Sequence, residues 1–223
     1  MTVQLDFLDK ISYFAGLSTA ELDAVGKLIV EKTVEKGEML FLEGESVGDL
    51  YFVVSGAVKA FKTSSEGKEQ ILFILRPGDS FNDVPAFDGD PSPVSAQTMT
   101  PVVLYLISRI DLMAIIRNYP AVASNVIQVL AQRVRNMVSL VEDLSFRHVI
   151  GRVAKILLES AGDGSGHGPK LTQQEMAAIA GTAREVVGRS LKTLEEEGAI
   201  KLDRHRIVIS DKKALENMIG ASF

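Results

Sequence analysis

The chain contains no cysteine. That excludes disulfides, thiolate nucleophiles, and zinc or iron–sulfur centres held through Cys. No apolar run reaches about 18 residues, the length at which a membrane span becomes a candidate. The opening MTVQLDFLDK has no basic segment leading into an apolar one, so no signal peptide is visible. The expectation is a soluble cytoplasmic protein with no membrane partner. Histidine is scarce: His148, His167 and His205 are the three in the chain. Lysine and arginine are absent between Arg76 and Arg109, a stretch that holds Asp79, Asp83, Asp88 and Asp90.

Against these absences stand 223 residues, 46% of them hydrophobic, enough for two modest domains with real cores. The formal net charge of −5 is unevenly spread. Residues 1–145 hold 12 Lys+Arg and 19 Asp+Glu, net −7; residues 146–223 hold 12 and 10, net +2. Long-range steering towards a polyanion is weak, so local basic groups must supply it.

The most informative stretch is LTQQEMAAIAGTAREVVGRSLKTLEEEGAI, Leu171 to Ile200. It reads as two short helices joined by a tight turn. Thr172 caps the first, with Glu175 three residues on completing a capping box. Ala180-Gly181-Thr182 makes the corner, and Gly181 supplies the backbone freedom it needs. Thr182 is expected to cap the second helix, with Glu185 as its partner. Val187, Leu191 and Leu194 face inward at i, i+4, i+7, while Glu185, Arg189 and Lys192 share another face beside Arg184 and Gly188. An Arg-bearing polar face without large apolar side chains suits a major groove, where arginines clamp guanine edges and a carboxylate accepts from a cytosine amino group. The β-prone runs Ala199 to Leu202 and Arg206 to Ile209 flank Asp203-Arg204-His205 as a hairpin with a basic tip. A helix-turn-helix followed by such a hairpin is a winged helix.

TQQEMAAIAGTAREVVGRSLKTLEEEGAI resembles the DNA-binding motif of the catabolite activator / fumarate-nitrate regulator (CRP/FNR) superfamily of bacterial transcription regulators. Its element Arg184-Glu185-Val186-Val187-Gly188-Arg189 is similar to that of the catabolite-activator branch. The resemblance implies base reading by Arg184, Glu185 and Arg189, phosphate contacts by Thr172, Gln174, Thr182 and Lys192, and TGTGA-like half-sites. Gln173 stands where the family commonly has Arg.

From Val30 to about Ile107 the pattern changes to short strands: Met39–Leu42, Leu50–Val54, Val58–Thr63, Gln70–Leu75, Val94–Met99 and Val102–Ile107. Glycines at 44, 56, 67, 78 and 89 punctuate them at intervals of 12, 11, 11 and 11 residues. Such spacing indicates a small β-sandwich or barrel. EGESVGDLYFVVSGAVKAF and LRPGDSFNDVPAFDG resemble the β-roll of cyclic-nucleotide-binding domains. Nucleotide-binding members use a Gly-Glu pair for the ribose and an Arg-Ser pair for the cyclic phosphate. The matching positions here are Asn82-Asp83 and Pro93-Val94. A phosphate there lacks a cation and meets like charge, so cyclic AMP is disfavoured as effector. A metal-dependent enzyme of the cupin type, built on a similar roll, needs His ligands inside the barrel. None of the three histidines lies in the roll, so an enzyme is disfavoured too.

Short helices are expected within 5–29, with Ser18 capping the one that begins at Thr19. A helix over 108–117 precedes Tyr119-Pro120, and Pro120 suits the first turn of a longer helix to Leu144. Ile127, Leu130, Val134, Met137, Val141 and Leu144 repeat as a and d, which favours a parallel two-stranded coiled coil. In the family this helix is the dimer axis and closes the effector pocket, where this chain offers Met137 and Val138. A hinge near 144–148 leads into a helix over 146–161, a flexible loop over 162–169, and a last helix over 211–219 capped by Ser210.

The expected fold is α+β: a cyclic-nucleotide-binding-like β-roll over 1–117, a dimerisation helix over 118–145, and a winged helix-turn-helix over 146–223. The resemblance implies a homodimeric transcription regulator with double-stranded DNA, RNA polymerase and an unknown small-molecule effector as partners. Two alternatives stay open: haem-based gas sensing, with His148 as the candidate ligand, and cyclic-AMP response.

Overall fold

In the computed structural model, residues 3–161, 171–203 and 206–220 are described. His167 and the hairpin tip at Arg204 and His205 lie outside them, as does the whole of the expected loop over 162–169. The chain groups into two compact units, residues 1–62 with 73–136, and residues 63–72 with 137–223.

The first unit opens with α1 (Leu5–Leu8), a 3-10 turn (Ser12–Phe14) and α2 (Thr19–Gly26). Ser18 and Glu21 form the capping box at α2. Strands β1 (Val30–Val34), β2 (Met39–Phe41), β3 (Leu50–Ser55), β4 (Val58–Thr63), β5 (Glu69–Leu75), β6 (Ser80–Phe81), β7 (Ser95–Thr98) and β8 (Val102–Ile107) follow. They form two four-stranded sheets, β1-β8-β3-β6 and β2-β7-β4-β5. Strand alternation then sorts the side chains. Tyr51, Val53 and Leu104 turn towards Phe41, Val58, Ala60, Phe81 and Ala96, a core that draws on both sheets. Leu50, Phe52, Tyr105 and Ile107 point the other way, into a second core with Tyr13, Phe14, Leu112, Ile115, Val122 and Val126. Covering both faces explains why β3 is buried along most of its length.

The glycines at 44, 56, 67, 78 and 89 all adopt positive φ, between 79° and 96°. The regular spacing therefore marks real corners. Gly56 is the most constrained: a Cβ there collides with the Pro101 carbonyl oxygen.

Three elements depart from expectation. β1 is a distinct strand paired with β8. β6 has only two residues, too few for a periodic signal. α3 (Asp83–Asp88) is a six-residue helix whose one proline and two aspartates mask helical character. α4 (Arg109–Asn118) begins at a Ser108 cap and ends where Tyr119 turns extended before Pro120. Pro120 then opens α5 (Pro120–Phe146), one unbroken helix of 27 residues. Leu130 packs against the first unit's core, whereas Ile127, Val134, Val138 and Val141 are each more than 60% exposed. The exposed seam is therefore rotated from the expected one: Val138 joins it, Leu130 leans away, and Met137 is half-buried.

In the second unit, α6 (Val149–Ala161), α7 (Gln173–Ala180) and α8 (Arg184–Glu196) surround one core with the hairpin β9 (Ile200–Asp203) and β10 (Arg206–Ile209) and with α9 (Lys212–Gly220). α6 starts three residues later than expected, because α5 continues to Phe146. Asp211, not Ser210, caps α9 by accepting from the Ala214 N–H at 3.1 Å. Gly56→Ala should destabilise the protein by about 2 kcal/mol or more, through backbone strain and collision; an unchanged urea midpoint would show that the β3–β4 corner is not so constrained.

Candidate DNA-binding surface and sensor site

The helix-turn-helix is built by local chemistry. Thr172 caps α7 and shares a capping box with Glu175. Gly181 ends α7 at φ 62°, and both its N–H and that of Thr182 close back on the Ala177 carbonyl. Thr182 is thereby committed to ending the first helix, and Ala183 takes the N-cap position of α8 without a side-chain cap. The expected Thr182 cap is corrected by one residue. Val187, Leu191 and Leu194 are buried among Val153, Leu157, Met176 and Ala177.

Burying that stripe turns Arg184, Glu185, Arg189 and Lys192 outward, and all four are exposed. Thr172 and Gln174 are exposed at the start of α7, and Thr182 is half-buried between the helices. Lys192 makes a loose surface pair with Glu196 at 3.7 Å, of a kind worth little in water. Among the described residues, no ion pair holds Arg184, Glu185 or Arg189. Two arginines and a carboxylate without an ion-pair partner among the described residues therefore share one helix. A B-DNA major groove, which presents guanine O6/N7 acceptors and cytosine amino donors, matches that donor–acceptor set.

Other arginines of this unit are spent. Asp143, buried near the end of α5, takes Arg147 at 2.5 Å and also the Lys155 ammonium. Arg152 donates from Nε to the Ala180 carbonyl at 2.8 Å and from Nη1 to the Arg147 carbonyl at 2.5 Å. Burial lowers the Arg152 pKa, opposed by Asp143. These contacts join α5, α6 and α7 at the expected hinge; Asp143 and Arg147 stand at i, i+4 spacing, a local signal that the reading of the coil left aside. His148, the haem-ligand candidate, is exposed.

In the first unit, Asn82 and Asp83 stand at the junction of β6 and α3, in a setting the sequence hid. Asn82 is left-handed at φ 63°, and its Nδ2 donates to the carbonyls of Val47 at 2.6 Å and Asp49 at 2.8 Å. Its Oδ1 is buried without a hydrogen-bond partner among the described residues. Asp83 Oδ1 accepts from Tyr13 Oη and, at 2.9 Å, from Ser80 Oγ; Oδ2 takes the guanidinium of Arg133. Arg133 Nη2 donates as well to the Ser80 carbonyl and, at 2.9 Å, to Ser80 Oγ. A cation therefore does reach this region, from α5, which corrects the expectation of none. Desolvation, with Asp83 adding to it, pushes the Tyr13 phenol far above its ordinary pKa, so it stays protonated and donates to Asp83. Pro93 is exposed, and half-buried Val94 packs against the core between the sheets. Met137 and Val138 lie further along α5, on the stretch grouped with the second unit.

Comparison with known proteins supplies the name for this arrangement. Residues 31–119 match the family model of the cyclic nucleotide-binding domain, and residues 151–218 match the Crp-like helix-turn-helix domain. The chain is 33% identical to the CRP-like cAMP-activated global transcriptional regulator of Mycobacterium tuberculosis, over 94% of this chain and 97% of that one. It is 33% identical to the cyclic AMP receptor protein of Thermus thermophilus, over 92% and 95%. The solved structure of FixK2 from Bradyrhizobium japonicum superposes with a TM-score of 0.75 at 26% identity, covering 85% of this chain and 96% of that one. With a roll, a long helix and a helix-turn-helix in this order, the chain belongs to the CRP/FNR superfamily and is a DNA-binding transcription regulator.

Proposed function

We propose that this regulator works as a homodimer, that it reads an inverted repeat of TGTGA-like half-sites, and that its roll answers to an effector other than a cyclic nucleotide. The observation that carries the DNA reading is the unspent face of α8, with Arg184, Glu185 and Arg189 exposed above a buried Val187-Leu191-Leu194 stripe. In this reading Arg184 and Arg189 contact guanines, and Glu185 accepts from a cytosine. Thr172, Gln174, Thr182 and Lys192 contact phosphates and fix the register.

Support for the dimer comes from Ile127, Val134, Val138 and Val141, exposed along one helix at coiled-coil spacing. A twofold pair of α8 helices then enters successive major grooves about one turn apart.

Two relatives carry cyclic AMP in their names, and the reading of this roll differs on the chemistry of its own residues. Pro93 and Val94 bring no charge, and Arg133 is already paired with Asp83. A cyclic phosphate would have to compete for that cation inside a buried network. The orphaned Asn82 Oδ1 is a buried acceptor, which favours a ligand that carries an N–H or O–H donor.

Fluorescence anisotropy with a duplex carrying a TGTGA inverted repeat, with and without cyclic AMP, tests the reading. Specific binding that ignores cyclic AMP is expected; binding that appears only with cyclic AMP would refute the effector assignment. Arg189→Ala should cost about 1–3 kcal/mol on the cognate duplex and relax preference at one base pair. Uniform weakening on all sequences would remove Arg189 from base reading. Val134→Glu should convert the dimer to a monomer in sedimentation velocity, since it puts a charge into an otherwise apolar seam; an unaltered sedimentation coefficient would refute the seam.

A further inference from the structure

Helix α5 is gripped by the first unit at two places, and both grips pass through Tyr13. Asn125 Nδ2 donates to the backbone carbonyl of Tyr13 at 3.1 Å and to that of Ala15 at 2.9 Å. Eight residues on, Arg133 is paired with Asp83, which accepts from the Tyr13 phenol. Eight helical residues span about 12 Å. The Tyr13 ring fills part of that span, edge-on to Phe52 with centroids 5.4 Å apart. Segments 12–15, 80–83 and 125–133 thus close into one ring of hydrogen bonds around the buried Asp83. A single attachment would leave the helix free to swivel, whereas two attachments fix its rotation and its axial position together.

The ring is also internally complete. Asp83 is 1% exposed in its side chain and takes donors from Tyr13, Ser80 and Arg133. Both of its oxygens are engaged by the chain itself, and its charge partner is supplied from α5. Removing Arg133 takes away the charge partner of a buried carboxylate, and removing the Tyr13 hydroxyl takes away one of the two donors on Oδ1.

We infer that this Tyr13–Asp83–Arg133 staple, and not a bound ligand, holds α5 in its DNA-competent setting. The ligand-free protein binds its site, and the effector of the roll acts by loosening the staple, which lowers DNA affinity. The inference rests on the proposal that the protein binds specific DNA and adds the direction of its regulation. Tyr13, Asp83 and Arg133 are positioning residues in this scheme, since none of them touches DNA.

The test uses the full-length protein and a duplex enriched by the untreated protein from a randomised pool. Protein unfolded in guanidinium, washed and refolded carries no ligand. Its specific affinity should stay within about threefold of that of the untreated protein. Tyr13→Phe removes one oxygen and keeps the ring; Arg133→Met keeps an unbranched, somewhat shorter side chain and removes the charge. Both should lose at least about tenfold in specific affinity, about 1.4 kcal/mol, with dimer mass and low-salt binding to a scrambled duplex unchanged. Amide exchange over 125–133 should quicken in both. A merely destabilised protein would lose non-specific binding as well. The inference is overturned if the refolded protein binds its site only after a cell-derived small-molecule fraction or cyclic AMP is restored, or if both variants keep their specific affinity. If the untreated protein enriches no duplex at all, the DNA reading itself fails, independently of the staple.

Discussion

Asp83 is the constraint on which the sensor unit turns. A carboxylate this deeply buried needs donors on every side, and the chain gathers them from three places distant in sequence. Tyr13 comes from the first turn after α1, Ser80 from the shortest strand, and Arg133 from the long helix. Satisfying one buried group thus ties the N-terminal segment, the β6–α3 junction and α5 together. The left-handed Asn82 places the carboxylate, and its own amide is held by the Val47 and Asp49 carbonyls.

The second unit follows the same rule with the opposite outcome on its surface. Asp143 consumes Arg147 and Lys155, and main-chain carbonyls consume Arg152, so these cations serve the packing of α5, α6 and α7. On α8, Arg184 and Arg189 are held by no ion pair among the described residues. Which arginines are spent and which are free separates architecture from recognition more sharply than net charge does, since the chain as a whole is acidic.

Legibility in the sequence tracked the range of the interaction. The helix-turn-helix could be read because its signals are local: a capping box at Thr172 and Glu175, Gly181 at the corner, and an i, i+4, i+7 stripe. The glycine spacing of the roll was legible because each corner needs positive φ. Thr182 misled by one residue because its N–H was taken by the preceding helix. Leu130 misled because a heptad pattern does not say which apolar residues the same chain's core will claim. Tyr13 and Arg133 were invisible, since they stand 70 and 50 residues from Asp83 and no spacing rule connects them. The same limit led to the expectation that the pocket lacks a cation.

The central claim is that two copies of α8 read DNA as a twofold pair. Hydroxyl-radical footprinting on an enriched duplex tests it most directly. Two protected windows centred about 10 base pairs apart on one face of the helix are predicted, related by inverted sequence. One continuous window without inverted symmetry, or protection indifferent to sequence, would contradict it.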